Sequence, residues 1–167
     1  MRKKLSSITF WLLIVLVLVI VQAYSALAQS SEVTGYWTNG SVGSIQYQNR
    51  TTGATKPGRG SHFSYRFNPN GTYTFVGYME TTMYNCTTTL FNQVDGKYTV
   101  DGWTIYLNPS RDFWKSGNTC AASGNKEQTK TPTRKSAEFT VKEDDYGSTL
   151  LCLNEGSGET CFKREKE

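Results

Sequence analysis

Four cysteines, one histidine and a scatter of carboxylates are the side chains through which this 167-residue chain could do chemistry. Cys86, Cys120, Cys152 and Cys161 can form metal thiolates, redox centres or disulfides. Zinc would ask for closely spaced pairs such as Cys-x-x-Cys and for additional histidines. The chain has no such cysteine pair, and its one histidine is His62. Disulfides are therefore expected, in an oxidising compartment. Three pairings are open. Cys152 and Cys161 flank Asn154-Glu155-Gly156-Ser157-Gly158-Glu159, which reads as a hairpin turn. Closing that turn over Glu155 to Gly158 sets the two cysteines opposite each other and leaves Cys86 for Cys120.

Catalytic patterns are missing. A Ser-His-Asp arrangement would have to use His62, and neither Gly-x-Ser-x-Gly nor His-Glu-x-x-His occurs. His62 starts a strand-like run and alternates with its aromatic face, so it reads as a surface residue. Glu80, Asp95, Asp101 and Asp112 could serve as acid or base, yet Asp beside Gly at a strand end is ordinary turn chemistry. Glu143-Asp144-Asp145 lacks the spacing of a calcium loop and reads as a solvated turn. Gly156-Ser157-Gly158 has no following helix to cradle a phosphate. These observations point away from an enzyme and towards no metal and no cofactor.

Positioning any site is the work of the elements around it, and the first thirty residues decide where to begin. Arg2, Lys3 and Lys4 precede an unbroken apolar run from Phe10 to Val21, and Ala26-Leu27-Ala28 follows. That is the order of a cleavable signal peptide, residues 1–28, with cleavage after Ala28. The apolar run is short of the about 20 residues that cross a bilayer core of about 30 Å. The expectation is a protein secreted or held in the periplasm, touching the membrane only through its signal peptide, with one domain over 29–167. Losing the three n-region cations leaves 15 basic against 14 acidic residues, so the formal charge of +4 falls to about +1. A nucleic-acid partner would need a stronger basic face.

The domain reads as all-β. Phe63, Tyr65 and Phe67 alternate with polar neighbours, as do Tyr73 and Phe75, Trp103, Ile105 and Leu107, and Phe139 and Val141. Period two over short runs separated by Asn, Asp and Gly predicts antiparallel strands joined by hairpins. The expected strands are 33–39, 44–48, 61–68, 72–80, 83–91, 94–100, 103–107, 136–143, 148–154 and 159–164. An up-and-down β-barrel of about 8–10 strands buries one face and removes the edges; a β-sandwich is the alternative. Two polar segments read as loops. Residues 49–60 carry Arg50, Lys56 and Arg59. Residues 108–135 carry Phe113, Trp114 and Cys120, and a bond to Cys86 would make them an ordered lid. Asn49-Arg50-Thr51, Asn70-Gly71-Thr72 and Asn85-Cys86-Thr87 match the glycosylation sequon.

Gly35-Tyr36-Trp37 on the first strand and Arg164 late on the last resemble the signature of the lipocalins and the wider calycin superfamily. Residues 67–75 and 96–107 are also similar to bacterial lipocalin-like extracytoplasmic domains. The resemblance implies that Trp37 closes one end of the barrel, with Arg164 packed across it. Thr34 to Ser44 resembles the opening of avidin-type biotin binders, which would give Asn39 and Ser44 the ureido contacts, but the spacing is one residue longer. Fold of this kind does not fix function. The expected function is a secreted binding protein for a small hydrophobic or amphipathic ligand. Phe63, Tyr65, Phe67, Tyr73, Phe75, Trp103 and Ile105 would line the pocket. Arg50, Lys56 and Arg59 at the mouth would meet a carboxylate head, with Phe113 and Trp114 in the lid. The second class is a protein-interaction module, either an envelope-associated protein or a protease inhibitor. Some small periplasmic metalloprotease inhibitors share such a barrel, and their inhibitory segment corresponds to Gln29-Ser30-Ser31-Glu32.

Overall fold

A computed structural model describes residues 31–42, 47–48, 55–56, 60–156 and 158–165, together with residues 11, 12 and 14. The signal-peptide expectation falls almost wholly outside these residues, as do Arg50, Arg59 and Ser44. Among the described residues no helix is long and apolar enough to cross a membrane.

The period-two runs form antiparallel strands as expected. They are β1 (Gly35–Val42), β2 (Tyr47–Gln48), β3 (Thr55–Lys56), β4 (Gly60–Phe67), β5 (Thr72–Met83), β6 (Cys86–Asp101), β7 (Thr104–Asn118), β8 (Lys126–Lys130), β9 (Lys135–Glu143), β10 (Thr149–Asn154) and β11 (Glu159–Glu165). β2 and β3 pair with each other; the other nine form one sheet, in the order β6-β5-β4-β1-β11-β10-β9-β7-β8. An additional β6–β7 pairing closes this sheet into a ring. A closed ring rules out the sandwich and protects the edges that an open sheet would expose.

Strand boundaries differ from expectation in three places. β6 is one continuous strand where two were expected, and Asp95-Gly96 runs on through it, facing a bulge in β7, rather than forming a turn. The reversal before β6 is instead at Tyr84 and Asn85, whose positive φ of 49° and 65° fits the tight turn of a twisted hairpin. The expected lid over 108–135 is mostly strand. β7 runs to Asn118, a 3-10 turn spans Ala122–Gly124, and β8 then follows. β8 and β9 lie end to end along the same side of β7, pairing with Asp112–Ser116 and Thr104–Leu107 respectively. Residues 131–134 separate them.

Inward side chains fill one end of the barrel. Val33, Trp37, Phe67, Ile105, Phe139 and Leu151 are all but inaccessible to solvent. The Trp37 indole Nε1 donates to the Val33 carbonyl at 2.7 Å, so its one polar atom is satisfied within the core. Arg164 crosses this end: its guanidinium carbon lies 4.9 Å from the Trp37 ring centroid, and Nη2 donates to the Thr34 carbonyl at 2.5 Å. Gly35 is required beneath it. Its φ is +139°, and a Cβ there would come within 3.2 Å of Arg164 Nε.

Both disulfides form as expected, Cys86–Cys120 and Cys152–Cys161. Cys152 faces Cys161 directly in the β10–β11 register. Cys86–Cys120 ties the start of β6 to the segment just beyond β7. Two such bonds suit an oxidising, extracytoplasmic environment.

Candidate functional site

The barrel is filled at the Trp37 end and hollow at the other. A cavity of about 540 Å³ opens between β4, β5, β6, β7, β10 and β11. Its walls follow from strand alternation: Phe63 and Tyr65 from β4, Tyr73 and Phe75 from β5, Leu153 from β10 and Phe162 from β11. The rings pack on one another. Tyr65 lies 4.8 Å from Phe75 and meets Phe162 edge-on at 5.2 Å. Cavities of this size with aromatic walls and a few polar groups are the usual form of small-molecule sites.

β6 and β7 supply the polar wall, and a backbone irregularity decides which residues they show. On β7, Ile105 and Leu107 are buried in the barrel. Continued alternation would turn Arg111, Phe113 and Lys115 inward. The β6–β7 register instead shifts between Asp95 and Gly96, which face Arg111 and Pro109 and leave Ser110 as the extra residue. Gly96 permits the close approach, since a Cβ there would lie 2.4 Å from the Asn108 carbonyl oxygen. Pro109, which has no N–H to offer a ladder, is tolerated at such a bulge. Beyond it the phase is reversed, and Asp112 and Trp114 line the cavity.

Asp112 accepts a hydrogen bond from Asn92 Nδ2 at 2.8 Å, and the same nitrogen donates to the Phe113 carbonyl at 3.1 Å. Trp114 Nε1 is buried without a hydrogen-bond partner among the described residues. Its ring carries the Lys130 ammonium 3.8 Å from the centroid. Lys135 and Glu155 also line the cavity and pair at 3.2 Å. Burial pushes the Tyr73 phenol up to about 12, with help from the Asp112 and Asp95 charges. Burial raises Tyr65 too, followed by Glu155 and Tyr73. Both phenols are neutral hydrogen-bonding groups at physiological pH.

Of the seven expected lining residues, Phe63, Tyr65, Tyr73 and Phe75 reach the cavity. Phe67 and Ile105 point inward but belong to the solid core at the Trp37 end. Trp103 is outside: it sits in the Asp101–Thr104 turn, 60% exposed, with its ring 5.9 Å from Phe139. The turn after Asp101 stops the alternation one residue before the strand that would have turned Trp103 in. Phe113 also stands on the outer face, against Phe91 and beneath Arg111. Trp114 is in the wall rather than in a lid. β1 and β4 start and end such that residues 43–59 connect their cavity-side ends; of the expected mouth cations there, only the Lys56 backbone is described, paired with Tyr47.

The other candidates are committed elsewhere. His62 alternates with Phe63 and faces outward. Glu80 accepts from the Tyr78 hydroxyl at 2.7 Å, and Asp95 meets Arg111 on the outer face at 3.8 Å. Asp144 accepts from the backbone of Ser148 and, more weakly, of Tyr146, which lowers its pKa and explains the acidic run as a turn. Asn39 donates to the Cys161 carbonyl at 2.6 Å, joining strands rather than facing a ligand. Cys152, Glu159 and Cys161 lie close together, but both sulfurs are in a disulfide and are not free thiolates. Sequence reading missed Asn92, Asp112 as a lining residue, Lys135, Glu155 and Phe162. The Pro109 in a strand-like context was the one available sign of a bulge.

Comparison with family models finds no match, and a search of curated proteins finds no significant relative.

Proposed function

We propose that this is a secreted, lipocalin-like binding protein that holds a small hydrophobic or amphipathic ligand in the open end of its barrel. The observation that carries the reading is the cavity of about 540 Å³ with its wall of Phe63, Tyr65, Tyr73, Phe75 and Phe162. A barrel that existed only to be stable would fill this space, because an empty apolar volume forfeits packing energy. Support for the calycin likeness comes from Gly35, Trp37 and Arg164, which meet at the opposite end as that signature implies. The arginine-crossed tryptophan seals one end, so ligand would enter past Thr133, Lys135, Glu155 and Gly158. Export through the signal peptide would deliver the domain to the compartment where its disulfides persist.

Trp114 makes the test direct, since it stands in the cavity wall. Titrating the purified domain with fatty acids, fatty alcohols, fatty amines, retinoids and haem should change its tryptophan emission saturably for at least one class, and Trp114→Phe should remove most of that change. Flat isotherms across the series, with nothing released on organic extraction, would count against a ligand-binding barrel.

A further inference from the structure

We infer that the cavity selects a protonated amine rather than a carboxylate as the polar end of its ligand. The inference rests on the ligand-binding reading and names the ligand's chemistry. Three charged residues line the cavity: Asp112, Lys135 and Glu155. Lys135 and Glu155 pair with each other at 3.2 Å and cancel. Asp112 is left. Its hydrogen bond comes from the neutral amide of Asn92, and no cation among the described residues forms an ion pair with it. The neighbouring Arg111 is turned away by the strand, to Asp95 and the face of Phe113 on the outside.

A half-buried carboxylate without a cation is poorly compensated, and a bound cation would restore the balance. The surroundings suit an organic cation. Aromatic faces attract ammonium groups, and Tyr73 and Phe75 line the same cavity. Lys130 stands opposite Asp112 in the β7–β8 register, but its ammonium is held over the Trp114 ring and makes no ion pair with the carboxylate. A carboxylate head would meet the opposite conditions: repulsion from Asp112 and competition with Glu155 for Lys135. The unpartnered Trp114 Nε1 adds a second requirement, a hydrogen-bond acceptor on the ligand or on a water bound with it. The ligand class is therefore an amine-bearing amphiphile, its apolar body against Phe63, Tyr65 and Phe162 and its ammonium at Asp112.

Octylamine, octanol and octanoate differ only in the head group and can be compared on the intact mature domain by calorimetric titration. Octylamine should bind about tenfold or more tighter than octanoate, the value of one charge-assisted hydrogen bond. Asp112→Asn keeps the shape and an acceptor for Asn92; it should abolish the preference for octylamine while leaving octanol binding within about twofold. Lys135→Gln, which frees Glu155, should strengthen octylamine binding further. Octanoate binding as tightly as octylamine, or a preference indifferent to Asp112→Asn, overturns the amine assignment and leaves the ligand-binding barrel standing. Failure of all three probes to bind overturns both.

Discussion

The two ends of this barrel are built from the same kind of residue and come out differently. At one end Trp37, Phe67, Ile105 and Phe139 interlock with no appreciable exposure. At the other Phe63, Tyr65, Tyr73 and Phe75 stand around open space. Five of these eight residues, Phe67 of the filled end among them, lie on β4 and β5 alone. The difference arises opposite them. At the filled end the facing strands supply the large rings and branched chains of Trp37, Ile105 and Phe139. At the hollow end β6 and β7 supply Asn92, Val94, Asp112 and Trp114, so an amide and a carboxylate stand where apolar chains would close the space. Hollowness is therefore a property of what stands across the barrel, not of the aromatic strands themselves.

Substitutions can break or sharpen this contrast. Trp37→Ala should cost about 3–5 kcal/mol, because it empties a fully enclosed site that cannot collapse. Phe75→Ala borders space that is already open and should cost clearly less. Urea unfolding of both measures the gap, and equal losses would mean that the two ends are packed alike. Gly96→Ala should cost about 1–3 kcal/mol, since its methyl would press on the backbone of Asn108 and Pro109. It should also lower ligand affinity, because the bulge is what turns Asp112 and Trp114 inward. Stability loss with undiminished binding would detach the bulge from the site. Arg164→Ala should cost about 1–2 kcal/mol, removing the cation over Trp37 and one charged hydrogen bond while leaving the cavity untouched.

The smallest effect is a loss of stability that shows only in alkali. Tyr73 ionises at about 12 in the folded protein, above its ordinary value of 10.0. The folded state thus holds this proton more tightly than the unfolded chain. Its contribution is whole below pH 10.0 and is lost as pH rises through about 12. Tyr73→Phe should flatten this part of the stability profile, as followed by urea midpoints against pH. Phenolate absorbance of the wild type should show a tyrosine class titrating late.

The amino-acid sequence alone determined the class of fold and much of its scaffold. Period-two alternation in β4, β5 and β9 specifies strands because a pleated backbone sends neighbouring side chains to opposite faces. Two cysteines flanking a glycine-rich hairpin define their own pairing, since the hairpin register sets them opposite each other. The inner half of β7 beyond Ser110 carried no such signal. Its inward residues are Asp112 and Trp114 and its outward ones include Phe113, so polarity does not track burial there. A wall that faces a cavity need not be apolar, and the segment was legible only as a loop. Trp103 failed for the converse reason: it continued an alternation that a turn had already ended. What the tertiary structure decided was the phase of β7. One extra residue opposite Gly96 reverses every side chain that follows, and pairing with β6 is what fixes where it falls. The chain's own order supplied the aromatic rings; the bulge supplied the carboxylate that faces them.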